Sequence, residues 1–247
     1  DARVASRYPQ PMSVNPLDNK AQAWSALFSE PMSALVQVDE VQPHEQLFSS
    51  DYAYHSSYSS SWLDHAKKFV QDAVRELGLD GRSRVVEVAS NDGYLLQYVA
   101  ELGIPCLGVE PTESTANVAI ARGIPTIVRF FGRALAQEIL ATNGPSDLVI
   151  GNNVLAHVPD LHDFTSGMAK ILAPEGTISL EFPHLLRLVR ECQFDTVYHE
   201  HFSYLSFHTV QRIFAAQGLR LWDVESGRQL TILRGHEERV YSVALSP

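Results

Sequence analysis

From residue 83 onward the chain switches repeatedly between two hydrophobic periods. Short apolar runs of strand length, rich in β-branched residues, alternate with stretches whose apolar residues recur at helical spacing. The runs cover 84–90 (RVVEVAS), 104–111 (IPCLGVEP), 125–132 (PTIVRFFG), 146–158 with an exit loop (SDLVIGNNVLAHV) and 177–185 (TISLEFPHL). Helices are expected between them over 94–103, 115–123, 133–144 and 163–176. A further helix over 207–217, closed by Gly218, and a sixth strand over 219–225 follow. This alternation predicts an α/β fold with a doubly wound, mostly parallel sheet. Upstream, Trp62, Ala66, Phe69, Val70, Ala73 and Leu77 share one face of an amphipathic helix, with Gly78 at its end. Leu17, Ala21, Trp24, Leu27 and Phe28 fit a helix over 17–29, and 35–41 fits a short strand. Residues 1–15 read as a loose arm, and the Ser- and Tyr-rich stretch before Trp62 has the composition of a loop.

In an open sheet of this kind ligands bind outside the carboxyl ends of the strands. The residues at those ends are the candidates: Asn91, Asp92 and Gly93; Glu110 and Pro111; Phe130, Phe131 and Gly132; Asn152, Asn153 and His157; Glu181 and His184. The stretch Ser83–Gly93 is strand, tight turn and helix start. Glu110 ends the next strand about twenty residues after Glu87, the spacing at which an acid accepts ribose hydroxyls. Small residues and free helix N–H groups complete a place for an adenosine-containing cofactor. Each feature also has a plain reading: Asp92–Gly93 as an ordinary turn, Glu110 as a solvated strand end, Phe130 and Phe131 as core. A second dense segment, 190–210, packs His199, His201 and His208 with Tyr198, Tyr204, Glu191, Asp195 and Glu200. His199 and His201 flank an acid, but they lack the i, i+4 spacing of a helical metal pair, so no metal site is expected.

Composition narrows the class. Apolar residues make up 45% of the 247, ordinary for a chain that buries a core. A net charge of −10 argues against a nucleic-acid partner. No apolar run reaches the roughly 18–20 residues that span a bilayer, and no signal peptide is visible, so no membrane partner and a cytoplasmic location are expected. Cys106 and Cys192 are the only cysteines, too few for a disulfide framework or a Cys-rich zinc site.

VEVASNDGYLL, LGVEPT, NNVLAHVPDL, EFPHL and FDTVYHEHFSYLS, in this order, resemble the sugar C-methyltransferases over roughly residues 35–225. Members of that family use S-adenosylmethionine to methylate carbon next to the 4-keto group of deoxy sugars linked to thymidine diphosphate. The resemblance implies a Rossmann-like class I methyltransferase fold with an antiparallel C-terminal hairpin. It implies a cofactor loop from Glu87 through Ala89, Asn91 and Asp92 to Gly93. Glu110, beside Pro111, would hold the ribose; Phe130 and Gly132 would lie near the adenine. Asn152, Asn153 and His157 would line the space between cofactor and a nucleotide-linked deoxysugar. It implies His201 as catalytic base, with Tyr198 and Glu200 in the active site and Tyr52 reaching the sugar. The chemistry agrees: a neutral imidazole can take a proton from carbon beside a carbonyl, and a Tyr hydroxyl can donate to the enolate oxygen.

The two ends depart from the family. Glu30 and Ser33 stand where the family's small zinc module has its last CxxC pair, so no structural zinc is expected. After residue 219 the chain reads LRLWDVESGRQLTILRGHEERVYSVALSP, which resembles a single WD40 repeat, too little for a propeller. Leu219–Val224 and Gln229–Leu233 are expected to form the antiparallel hairpin, turning at Ser226–Gly227, with Glu237–Pro247 an extra strand or a loose tail. The chain then divides into an N-terminal arm and helix (1–34), a substrate-side loop and lead-in helix (35–80), a methyltransferase domain (81–234) and a WD40-like tail (235–247). Two other functions fit parts of the chain: a truncated or chimeric relic that binds S-adenosylmethionine without turnover, and a WD40-type interaction protein.

Overall fold

The computed structural model describes residues 35–37, 48, 54–198, 200–223, 228–229 and 243–246. Five parallel strands carry the fold: β2 (Val85–Val88), β3 (Cys106–Val109), β4 (Thr126–Ile127), β5 (Ser146–Asn152) and β6 (Leu172–Glu181). They lie in the order β4-β3-β2-β5-β6. The chain winds outward from β2 to β4 and then returns to the other side of β2. The reversal puts a crevice beyond the carboxyl ends of β2 and β5.

All four residues of β2 are buried, as a strand covered on both faces requires. Alternate side chains feed two separate cores. Val85, Leu148 and Ile150 pack with α1 (Ser60–Leu77), α2 (Leu96–Glu101) and α3 (Glu113–Ala121) through Ala66, Val70, Leu96, Val99 and Ala119. Val86, Val88, Val149 and Ile178 pack with α4 (Arg133–Asn143), α5 (Leu161–Ile171) and α7 (Phe207–Ala215) through Leu135, Ile139, Met168, Ile171, Val210 and Phe214. The short α6 (Leu185–Arg190) lies between β6 and α7 in the chain. Helix α1 starts on Ser59, whose hydroxyl accepts the Trp62 N–H, and stops at Gly78 in the left-handed region (φ 65°).

Three expectations are corrected or refined. The helix expected over 163–176 ends at Ile171, because Leu172 turns extended (ψ 138°) and Pro174 disfavours a helical residue before it; β6 begins there. The short strand expected over 35–41 is present as β1 (Leu35–Gln37), with 38–41 outside the described residues, and what the sequence did not show is its antiparallel pairing with β7 (Ser203–Leu205) in a separate two-stranded sheet. At the far edge, β8 (Arg220–Asp223) does pair antiparallel with β9 (Arg228–Gln229), Trp222 opposite Gln229. The strand next to β6, however, is β10 (Val243–Ser246), antiparallel to both β6 and β8. Part of the stretch read as an extra strand or tail is therefore an interior strand of the main sheet. The expected turn at Ser226–Gly227 and residues 230–233 lie outside the described residues. No helix of the described residues is long and apolar enough to cross a membrane.

Candidate functional site

A cavity of about 770 Å³ opens at the crevice. Ala89 and Asn91 after β2, Glu110, Pro111 and Thr112 after β3, and Asn152, Asn153 and His157 after β5 all line it. Phe130 and Gly132 add a wall on one side; Tyr198, Glu200 and His201 close another. Asp92, Gly93 and Glu87 do not line it. Asp92 points backward, accepting from the Ser57 hydroxyl and lying 3.5 Å from the Arg122 guanidinium. Gly93 packs against α3, with Ala119 and Ile124 in contact. Tyr52 and His199 lie outside the described residues. The structure adds wall residues that sequence reasoning missed: Tyr54, Trp62, Tyr94, Asp160 and Asp163. Tyr94 carried a signal, since it directly follows Gly93 at the sheet's switch point. Trp62 was read only as part of an apolar helix face.

The turn after β2 is strained. Ala89 (φ 58°) and Asn91 (φ 49°) hold left-handed conformations, as does Asn153 (φ 51°) across the crevice. Glycine takes that region freely; other residues pay about 1–2 kcal/mol. All three stand on the cavity wall, where such strain concentrates in functional sites.

Glu110 is nearly fully buried. Its carboxylate accepts the backbone N–H groups of Thr112 (2.8 Å) and Asn91 (3.0 Å). Burial raises its pKa above the usual carboxylate range, while the Thr112 and Asn91 donors work against the rise. The Thr112 and Thr115 hydroxyls also approach this carboxylate, which makes it a hub of donors on the cavity wall. Glu87 is wholly buried, and neither of its oxygens has a hydrogen-bond partner among the described residues. Burial, reinforced by the charges of Glu110 and Asp92, pushes its pKa well up.

The second half of the site is a pair of imidazoles. His157 and His201 meet edge to face, ring centres 4.6 Å apart. His201 Nδ1 lies 2.8 Å from the Thr196 carbonyl, and His157 Nδ1 lies 2.9 Å from the Glu200 carbonyl. A carbonyl oxygen only accepts, so both Nδ1 atoms carry the proton and both Nε2 atoms offer a lone pair. The Tyr198 hydroxyl donates to His201 Nε2 at 2.9 Å. Burial lowers the pKa of His201. Burial and then the His201 ring beside it lower His157 to about 4. Both rings are therefore neutral at pH 7 and competent as bases. The backbone carbonyl of Glu200 thus holds the His157 imidazole.

These parts form a cavity at the sheet's switch point beside a neutral imidazole pair. A family model described as a methyltransferase domain matches residues 62–224. The chain belongs to the methyltransferase-domain family. This methyltransferase domain is 38% identical to the C-methyltransferase NovU of Streptomyces niveus over 175 residues, 71% of this chain and 42% of NovU. The chain thus spans less than half of that relative's length. Its fold matches a SAM-dependent methyltransferase from Archaeoglobus fulgidus (TM-score 0.54, 14% identity, 74% of this chain and 92% of the other). It also matches magnesium protoporphyrin IX methyltransferase from Synechocystis PCC 6803, solved with bound SAH (TM-score 0.50, 18% identity, 92% and 93%). At these identities the likeness establishes the Rossmann-like SAM methyltransferase fold.

The residues present fit that cofactor. Glu110 puts a carboxylate on the cavity wall where a ribose hydroxyl could donate, Phe130 and Gly132 line the same cavity, and the turn at Ala89–Asn91 gives close backbone approach. Among the described residues no group of three or more His, Cys, Asp or Glu is placed to hold a metal ion. The positions of Glu30 and Ser33, where a zinc module would end, lie outside the described residues.

Proposed function

We propose that this domain methylates carbon beside the 4-keto group of a nucleotide-linked deoxysugar, with S-adenosylmethionine as donor. The observation that carries the reading is the Tyr198–His201 pair. It combines a neutral imidazole with a hydroxyl donor on the cavity wall, which is what deprotonation next to a carbonyl requires. The resemblance of the YHEH segment to sugar C-methyltransferases and the 38% identity to NovU support it.

When bound, the cofactor supplies an electrophilic methyl group. The protein's own residues then do the following. A substrate keto oxygen takes over the Tyr198 hydrogen bond, which frees the lone pair on His201 Nε2. His201 Nε2 removes the proton from the adjacent carbon, and the C–H electron pair moves into an enolate whose oxygen Tyr198 stabilises. The Thr196 carbonyl steadies the imidazolium through Nδ1–H. The enolate carbon would be the acceptor for the methyl group that the cofactor, held beside Glu110 and the Ala89–Asn91 turn, would supply. Asn153 and His157, on the same wall, face the substrate side. Tyr52 acts as a second donor to the keto oxygen, and Glu200 orients the pair through its backbone. In this reading Ala89, Asn91, Glu110, Pro111, Phe130, Gly132 and Asn152 surround the cofactor, while Glu87, Asp92 and Gly93 support the loop from behind.

The test is transfer of labelled methyl from S-adenosylmethionine to a thymidine diphosphate 4-keto deoxysugar. Transfer by the wild-type chain and its loss in His201→Asn, with calorimetric binding of S-adenosylhomocysteine retained, is the expected result. Undiminished turnover in His201→Asn would remove the assigned base.

A further inference from the structure

Residues 54–58 form a strap that runs over the crevice and leads into α1. Tyr54 and Ser56 are on the cavity wall. The strap is open to solvent on its outer side, with Tyr54 59% and Tyr58 81% exposed. Its attachments among the described residues converge on one place, the turn after β2. Asn91 makes two of them. Its Oδ1 accepts the Ser56 N–H at 2.9 Å, and its Nδ2 donates to the Tyr54 carbonyl at 3.0 Å. That two-point contact clamps the strap's backbone and depends on no strap side chain. The backbone N–H of Asn91 meanwhile donates to Glu110 Oε2. One residue in a left-handed conformation therefore joins the ribose-facing carboxylate to the strap. The neighbouring contact is less direct: the Ser57 hydroxyl donates to Asp92 and accepts from Arg122 Nη2 at 3.1 Å.

We propose that Asn91 is a positioning residue that couples cofactor occupancy to the placement of strap 54–58, and so to Tyr54 on the substrate side of the cavity. This rests on the cofactor site proposed above. A ribose held by Glu110 fixes the carboxylate, the carboxylate fixes the Asn91 N–H, and the Asn91 side chain then holds the strap. Occupancy of the cofactor site and placement of the substrate wall thereby favour one another.

Amide hydrogen exchange with S-adenosylhomocysteine as the probe tests this, with binding followed separately by calorimetry. In the wild-type chain the probe should slow exchange at the Ser56 amide about fivefold or more, the factor that firming one hydrogen bond supplies. Asn91→Gly keeps the left-handed backbone and loses both clamps, so at probe concentrations that saturate the variant by its own calorimetric affinity Ser56 exchange should stay unchanged. Asn91→Asp keeps an acceptor for the Ser56 N–H, so it should restore the slowing at Ser56. A wild-type chain that binds the probe without any change at Ser56, or equal slowing in Asn91→Gly, overturns the coupling and leaves the cofactor site standing. No binding to the wild-type chain overturns both. If Asn91→Gly itself loses the probe, Ser57→Ala decides. Slowing retained there supports the route through Asn91, and slowing lost there moves the route to Asp92 and overturns the proposal.

Discussion

His157 should make the folded domain sensitive to mild acid. Its ring lies against His201, its Nδ1–H is committed to the Glu200 carbonyl, and burial together with the neighbouring imidazole holds it neutral to about pH 4. In the unfolded chain it titrates near 6.5. Below 6.5 the unfolded chain thus binds a proton that the folded one refuses. Stability is complete above 6.5 and declines as the pH falls toward 4. The penalty is on the order of 1 kcal/mol at pH 5.5 and grows to a few kcal/mol toward pH 4. Other groups titrate over the same range. Glu87, Glu110 and Glu181, raised by burial, act in the opposite direction. The clean measurement is therefore a difference. Urea unfolding of wild type and His157→Asn at pH 7.5 and 5.5 gives two stability gaps, and the gap should shift by on the order of 1 kcal/mol in the variant's favour at the lower pH. A gap that does not move with pH would show that His157 titrates alike in the folded and unfolded chain, so that burial does not hold its pKa down.

Three further outcomes are expected. Gly93→Ala places a methyl 3.2 Å from the Ala119 Cβ and 3.3 Å from Ile124 at φ 78°, so backbone strain and overpacking together cost about 2–3 kcal/mol. Gly78→Ala, at φ 65° with open space around it, pays strain alone, about 1 kcal/mol, and equal thermal shifts for the two would discredit the packing contribution. Ala89→Gly relieves a left-handed alanine but loosens the unfolded chain, so it should be within about 0.5 kcal/mol of wild type or more stable; a loss above about 1 kcal/mol in denaturant melts would contradict the strain reading. Glu110→Gln turns an amide group toward one of two backbone N–H donors and should weaken S-adenosylhomocysteine binding roughly 10- to 100-fold by calorimetry, whereas unchanged affinity would take Glu110 out of the cofactor site.

The central fold was legible because strands buried on both faces leave short, mostly apolar runs, as in Val85–Val88 and Leu148–Ile150, and helices between them keep their period. The reading failed where local pattern and tertiary pairing disagree. Leu172 continues a helical period by composition yet pairs with Ser146 across the sheet. Ser203–Leu205 is three residues long, too short for alternation to register, and becomes a strand only because Leu35–Gln37 lies beside it. Val243–Ser246 takes its place from partners far away in sequence, on β6 and β8. At the site, residue types at strand ends pointed to Glu110, Asn152 and His157, because topology alone sends those positions to the crevice. What could not be read was which atoms meet. Nothing in the letters YHEH says that Tyr198 faces His201 Nε2 while a Thr196 carbonyl takes the other nitrogen. Nor does a serine-rich loop announce that its backbone is clamped by an asparagine 35 residues later.

The place of Val243–Ser246 in the sheet also matters during synthesis. The five parallel strands and both of their helical layers are complete once residue 215 has been made, so the cofactor crevice can assemble on the ribosome. Throughout that interval β6 is an unpaired edge, with its row of backbone donors and acceptors open to any passing strand. Helix α7 and β8 emerge next, yet β8 has no seat against β6 until β10 arrives to separate them. Strand β10 acts as a wedge that closes the vulnerable edge. Nascent chains halted shortly before residue 243 should therefore carry a formed crevice together with an aggregation-prone flank, a burden that falls on chaperones and not on the chemistry.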